Sequence, residues 1–518
     1  MIIKKEISNM KANIFLQILL TVIATTAVSL IPAYNRYLVD SLLTDRTVMI
    51  AGLIVAYCVT YIIFLIATWG AERLLWRSAI RFENGLKKKC FEKLTMIKYK
   101  DYIKKDQGEY LSMLTNQITQ IEQDYLTPVI ALLKDMISIL IYIFVIARYT
   151  NWLICLTLLF LSILAGFSPK FYERRLKKAG KEYVEGLAVY TKKTTDLLNG
   201  FELVNARSAV SFRHKNAKTT DTLSEKRQSY GHAKVNGNTI SGAVICLIDV
   251  LVFALCALLF QQGQITAGII IAALTYAKAF TEPVQDILYC VNTLNASKDV
   301  VKNLEEFLAY QPEPVITMMP SRRIEVHGAK VEYGNKSITY ETAFDMDKKY
   351  VLIGASGLGK STLFNILTDQ IAYEGSLYID GQPGKLDENA FFYLSQNQHV
   401  FSENFDENVS LFHTYEFDQK SLDKKMQSLN LYGQIKQSKD STLLSGGEQQ
   451  LLKMCRAWIQ DKKIILLDEP FSAMDKETRR QMIQLLNESK AMILLITHDY
   501  SKEQYAGWAE VRIEDIIN

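Results

Sequence analysis

Six apolar stretches in the first 290 residues constrain this chain more than any other feature. They lie at roughly 13–33, 49–69, 128–147, 151–168, 240–260 and 265–290. About 20 apolar residues carry a helix across about 30 Å of hydrocarbon, and most of these runs qualify. Buried helices of a soluble core are the competing reading, but runs this long, this numerous and this poor in charge exceed what one core can bury. Arg148-Tyr149-Thr150-Asn151 separates the third and fourth runs, and Gln261-Gln262-Gly263-Gln264 the fifth and sixth. Both read as tight turns.

Basic residues orient the spans. Segment 71–127 carries eleven Lys and Arg, and segment 170–239 carries fifteen, whereas the connections on the other side hold only Arg36, Arg46 and Arg148. By the positive-inside rule the two long basic segments face the cytoplasm, and with an even number of spans so do both termini. Segments of this length are too long for plain loops. We expect helices that run on past the membrane, at Glu72–Thr95 and Phe171–Leu198. A few ionisable residues interrupt the spans: Lys134 and Asp135 in the third, Asp249 in the fifth, and Lys278, Glu282 and Asp286 in the sixth. Such groups face a partner or a cavity. Asp249 and Lys278 lie at similar depth from the turn near 262, so we expect them to face each other or a cavity.

The overall averages conceal a division. The chain of 518 residues has a net charge of +4, but residues 1–320 hold 36 basic against 26 acidic residues and residues 321–518 hold 23 against 29. A basic, apolar half precedes an acidic, polar one. With only 9 Pro and 25 Gly the sequence is neither collagen-like nor of low complexity. The seven cysteines form no CxxC pair and sit mostly in apolar runs, so we expect buried free thiols. Lys4, Lys5 and Lys11 lead into the first span without a small-residue cleavage site, so no cleavable leader is expected, nor an N-terminal peptidase domain.

Residues 310–321 contain three of the prolines and read as a linker. We therefore divide the chain into 1–309, a membrane domain; 310–321, the linker; and 322–518, a second domain. There, Tyr350–Ile353 is a short apolar strand followed by Gly354-Ala355-Ser356-Gly357-Leu358-Gly359-Lys360-Ser361-Thr362. This fits the phosphate-binding loop G-x-x-x-x-G-K-[ST], with a strand before it and a helical pattern after it. Glycines let backbone N–H groups wrap phosphate oxygens at a helix N-terminus. Lys360 would reach the β- and γ-phosphates of ATP and Ser361 would ligate Mg²⁺. A second strand, Lys463–Leu467, is apolar without a break, as suits a central parallel strand buried on both faces. It ends in Asp468, placed to hold Mg²⁺, and Glu469, placed to polarise an attacking water. A third strand, Ala491–Thr497, ends at His498, where ligands gather in open α/β sheets.

Between these motifs stands Leu443-Leu444-Ser445-Gly446-Gly447-Glu448-Gln449-Gln450. It resembles the LSGGQ signature of ATP-binding cassette (ABC) proteins, with Glu448 where Gln is commonest. The resemblance covers residues 322–518. It implies that Tyr333 stacks on adenine, that Gln396 is the Q-loop glutamine contacting Mg²⁺, that Asp475 belongs to the D-loop, and that His498 is the switch histidine. It also implies that two cassettes close on two ATP molecules, with Ser445, Gly446, Gly447 and Glu448 facing the ATP of the partner chain. The first half, with six spans and two long extensions, is similar to an ABC exporter half-transporter. Gly108–Ile118 resembles the stretch after a first coupling helix, which would lie near 98–106, and Asn199–Arg207 resembles the second coupling region. Two departures stand out: the spacing from Gln396 to Ser445 is short, and the stretch before the signature reads Gln437–Leu443 without the usual Gly and Glu.

The expected fold is an all-α six-helix transmembrane domain of ABC exporter type followed by an α/β P-loop nucleotide-binding domain. The implied function is ATP-driven export of a peptide, lipid or drug across a bacterial cytoplasmic membrane. Partners would be a second copy or a homologous half-transporter and the lipid bilayer, with no nucleic acid. A membrane-anchored ABC ATPase acting as a sensor or regulatory partner is the alternative, and degenerate catalytic motifs would favour it. The fused order of membrane region and cassette disfavours an importer.

Overall fold

The computed structural model describes residues 2–517 except 44–49, 168–171, 313–314, 334–335, 428 and 430. Contacts divide the chain into two compact units. One comprises Met1–Lys93 and Gln107–Tyr310, the other Leu94–Asp106 and Gln311–Asn518.

The first unit is helical. Its apolar helices are α1 (Lys11–Leu43), α2 (Ile50–Leu94), α3 (Thr127–Tyr149), α4 (Trp152–Gly166), α5 (Ala209–Gln261) and α6 (Ala267–Ala296). Among the described residues four helices are long and apolar enough to cross a membrane: α1, α2, α5 and the continuous helix that ends in α3. The fourth expected span falls on α4, a 15-residue apolar helix. The sixth falls on α6, where Lys278, Glu282, Pro283 and Asp286 dilute the apolar run. Both tight turns are present. Asn151 caps α4 by accepting from the Leu153 N–H at 2.9 Å, and Gly263 turns with φ +70°. Both extensions are helical: α2 runs unbroken for 45 residues, and a second long helix occupies Glu173–Asn199, its join to α4 lying outside the described residues. Arg46 and Phe171 lie outside the described residues.

α1, α3 and α6 pack through polar contacts as well as apolar ones. Thr25 and Ser138 hydroxyls lie 3.2 Å apart. The Tyr276 hydroxyl donates to the Ser29 carbonyl at 2.8 Å. Arg36 donates to the Tyr149 carbonyl at 2.6 Å, and Asp40 accepts from the Gly268 N–H at 2.9 Å. Gly268 is obligatory, since a Cβ there would stand 2.4 Å from the Arg36 carbonyl. Buried Ala272, Ala273 and Ala277 let the neighbouring helices approach α6 closely. Asp249 and Lys278 do not pair: Lys278 is exposed, and no ion pair or hydrogen bond joins the two. No disulfide forms among the cysteines.

The second unit is built on two main sheets, beside a short parallel pair of Thr317–Met318 with Lys385–Leu386. β1 (Arg323–Tyr333), β2 (Lys336–Asp345) and β4 (Glu374–Ile379) form an antiparallel sheet in the order β2-β1-β4, extended by Gln382–Pro383. The other sheet is parallel, in the order β8-β3-β7-β6-β5, from β3 (Lys349–Ile353), β5 (Phe391–Leu394), β6 (Ile464–Asp468), β7 (Met492–Ile496) and β8 (Ala509–Arg512). The unbroken apolar strands have the predicted cause. Ile465 and Leu467 of β6 face one core with Met454 and Leu486, while Ile464 and Leu466 face the other with Phe344 and Phe364. The helices that matter for the site are α7 (Lys360–Leu367), α8 (Gly446–Gln460) and α9 (Lys476–Glu488). The short helix Tyr99–Tyr102 also belongs to this unit, where Lys100 pairs with Asp369 at 3.0 Å.

Candidate nucleotide site

Four parallel strands deliver the site residues to one edge of the sheet. β3 ends at Ile353 and the chain turns through Gly354, Gly357 and Gly359, whose φ angles are +146°, +82° and +95°. L-residues rarely adopt these angles. At Gly359 a side chain would also strike the Tyr340 hydroxyl, 2.2 Å from a built Cβ. That hydroxyl donates to the Gly359 carbonyl at 2.8 Å and pins the loop. Ser356 is exposed at the loop crest. Lys360 opens α7, is only 6 % exposed, and donates to the Gly354 carbonyl at 2.6 Å and the Ala355 carbonyl at 3.0 Å. Thr362 is buried in the same first turn.

β6 ends at Asp468, which is 4 % exposed. Burial pushes its carboxyl above the ordinary carboxylate range, and a hydrogen bond from the Ser361 hydroxyl partly offsets this. A serine hydroxyl beside a buried carboxylate is a hard-oxygen pair of the kind that suits Mg²⁺, so these residues fit the metal expected of them.

Glu469 follows with φ +50°, an uncommon conformation for a non-glycine residue. Its N–H donates to the Ile496 carbonyl at 3.1 Å, which ties the turn to β7. Its carboxylate is held from two sides. Gln396, just past β5, donates from Nε2 to Glu469 Oε2 at 3.2 Å, and His498, just past β7, places Nε2 2.7 Å from Glu469 Oε1. Three residues from three strand ends therefore meet at one carboxylate.

The signature residues start α8. Ser445 and Glu448 form a capping box: the Glu448 carboxylate accepts from the Ser445 N–H at 2.8 Å and from the Ser445 hydroxyl at 2.6 Å. These bonds hold Glu448 below its ordinary range. The Ser-x-x-Glu spacing carries this signal, in addition to the partner-nucleotide contact expected of Glu448. Gly447 sits against the 471–475 turn, with a built Cβ 2.7 Å from the Ala473 carbonyl. Asp475 caps α9, accepting from the Glu477 and Thr478 N–H groups at 2.9 Å each. No hydrogen bond or ion pair joins Ser445, Gly446, Gly447 or Glu448 to the Glu469 cluster among the described residues. Tyr333 ends β1, and its side chain lies outside the described residues.

Sequence reasoning missed Arg456. This residue of α8 is 2 % exposed. It donates to the carbonyls of His399 at 2.8 Å and Asn408 at 2.9 Å, and to Gln398 Oε1 at 3.2 Å. Burial lowers its guanidinium to about 10. Arg456 thus ties the signature helix to the segment that follows Gln396. A charge amid Leu452, Met454, Cys455 and Ala457 was the available signal.

Comparison with known proteins agrees with this geometry. Residues 14–284 match the ABC transporter transmembrane region, and residues 340–472 match the ABC transporter family model. The ATP-dependent lipid A-core flippase of Escherichia coli O6:K15:H31 is 23% identical over 515 residues, covering 92% of this chain and 86% of the relative. YgaD of Bacillus subtilis, named for multidrug export, is 22% identical over 529 residues, covering 92% and 88%. The structure of a bacterial Atm1-family ABC exporter with ATP bound superposes with a TM-score of 0.77 at 16% identity, covering 95% of this chain and 91% of that one. The chain belongs to the ABC transporter family, as a multi-pass exporter in which a membrane region and an ATPase cassette fused in one polypeptide drive export at the expense of ATP.

Proposed function

We propose that this chain is half of a dimeric exporter, built from two copies or from one copy and a homologue. It moves a hydrophobic or amphipathic substrate (peptide, lipid or drug) out across a bacterial cytoplasmic membrane, with both termini and the cassette on the cytoplasmic side. The observation that carries this reading is Glu469 held between Gln396 and His498 beside the phosphate-binding loop. Degenerate motifs would favour a sensor, and here every catalytic position is filled.

In this reading Lys360 and the loop N–H groups grip the β- and γ-phosphates, and Tyr333 stacks on adenine. Ser361, Asp468 and Gln396 hold Mg²⁺, which supplies charge neutralisation on the phosphates when bound. Glu469 orients the attacking water and takes its proton, and His498 fixes the carboxylate and reaches the γ-phosphate. Ser445, Gly446 and Gly447 lie at a helix N-terminus, which suits an anion supplied by the partner chain.

Two further features support a dimer. Phe201 and Leu203 of the second coupling region are both 66% exposed. The cassette carries a cavity of about 310 Å³ lined by Gln396, His399, Val400 and Gln449, among others. A partner's coupling helix would meet a mostly polar socket there and would engage it through its polar groups. The lipid A-core flippases and YgaD support a bulky apolar or amphipathic cargo.

Reconstitution tests the reading. Proteoliposomes containing the protein should move at least one of a panel of labelled peptides, lipids and hydrophobic dyes only when ATP is supplied. Steady ATP hydrolysis without movement of any of them would favour the regulatory alternative.

A further inference from the structure

The His498 ring has little to hold it except its target. Its side chain is 48% exposed, and the Glu469 carboxylate is its one ion-pair or hydrogen-bond partner among the described residues. The place of the ring therefore depends on the backbone that carries it. Before His498, Thr497 is buried, and its hydroxyl accepts from the Asp499 N–H at 3.2 Å. After His498, the Asp499 carboxylate pairs with Arg479 Nη1. The bond from Arg479 holds Asp499 below its ordinary range.

Arg479 is the anchored member of this pair. It lies in the first turn of α9, where its N–H donates to the Asp475 carbonyl at 3.0 Å. Its side chain is 16% exposed, against 74% for Asp499. Its Nε is buried with no acceptor, so the pair with Asp499 is what fixes the guanidinium. Near the far end of α9, the Asn487 side-chain carbonyl accepts from the Trp508 indole N–H at 2.5 Å. The irregular segment 499–508 is thus tied to α9 at both of its ends. The start of α9 is itself fixed, because Asp475 caps it and the preceding turn packs on Gly447 through Ala473.

We propose that Arg479 and Asp499 are positioning residues for ATP hydrolysis, a strut that fixes the backbone at His498 so that its ring stays on Glu469. This rests on the reading above that His498 and Glu469 serve hydrolysis. Exposed ion pairs add little to stability, so the worth of this one is geometric. A misplacement of about 1 Å at a reacting group costs up to about 10²-fold in rate. The strut also links the turn beside Gly447 to the Glu469 cluster, a connection that no direct hydrogen bond or ion pair makes among the described residues.

Steady-state ATP hydrolysis by the full-length protein in lipid vesicles tests this, with thermal unfolding followed for each variant. Asp499→Asn and Arg479→Met should each lower kcat by about fivefold or more, while KM for ATP stays within about twofold. Asp499→Asn alters an exposed side chain, so its thermal transition should match that of the parent. The double variant should be no slower than the slower single one, because both substitutions remove the same contact. In a His498→Ala background neither should cause a further loss. A parental kcat for Asp499→Asn beside a slow His498→Ala would overturn the strut and leave the reading of His498 standing. Losses that persist in full in the His498→Ala background would overturn it as well, since the pair would then act through packing. A parental kcat for His498→Ala would overturn both the strut and the reading on which it rests.

Discussion

His498 Nε2 lies 2.7 Å from Glu469 Oε1, and this contact joins the ends of β7 and β6 at the acid we propose to activate water. With Gln396 on the other oxygen at 3.2 Å, the carboxylate cannot rotate freely. His498→Ala should lower kcat for ATP by about 10²-fold, the lower end of what a positioned acid–base group contributes, while ATP affinity stays within a small factor. Steady-state hydrolysis together with equilibrium ATP binding checks this. An unchanged kcat would detach His498 from the chemistry.

Gly359 predicts a different failure. Alanine there must adopt φ +95° and meets the Tyr340 hydroxyl at 2.2 Å. Gly359→Ala should abolish detectable ATP binding through distortion of the loop. Combining it with Tyr340→Phe should restore little, because the backbone strain remains. A titration of fluorescent ATP analogue against both variants reads the outcome.

The segment after Gln396 depends on Arg456. Arg456→Met keeps the aliphatic stem but leaves the His399 and Asn408 carbonyls without their donor. Each buried group so orphaned costs about 1–3 kcal/mol. The cassette's thermal transition should fall by several degrees, and ATP hydrolysis should fall with it as the Gln396 segment loosens. A variant as stable as the parent would show that water replaces the guanidinium.

Asp423 gives a pH signature. Its carboxylate accepts from Lys436, Gln419 and Tyr432, which together hold it down to about 2. A depressed acid stabilises the fold above its unfolded value of about 3.9 and loses that stabilisation as pH falls through the folded value. Asp423→Asn should therefore lower the unfolding midpoint at pH 7, and the gap to the parent should shrink between about pH 4 and 2. A gap independent of pH would assign the loss to packing.

The fold was largely legible because its signals are periodic or local. Charge-poor runs of membrane length, glycines ahead of Lys360, and strands ending in Asp468-Glu469 and His498 each have a physical cause within a few residues. The partners of these residues were less legible. That Gln396 and His498 share the Glu469 carboxylate depends on strand order β7-β6-β5, which no local window contains. Arg456 was hidden because its acceptors are backbone carbonyls 48 and 57 residues away. Asp249 and Lys278 do not pair for a related reason: equal depth on two helices does not fix which way each helix turns a side chain.

Glu469→Gln tests the central claim most directly. The amide keeps the shape of the carboxylate but cannot take a proton from water. The variant should bind ATP as tightly as the parent, hydrolyse it at least about 10²-fold more slowly, and accumulate in a closed ATP-bound dimer without moving substrate. Hydrolysis by Glu469→Gln at the parental rate in lipid would contradict the assignment of Glu469 as the base and the coupling of export to its chemistry.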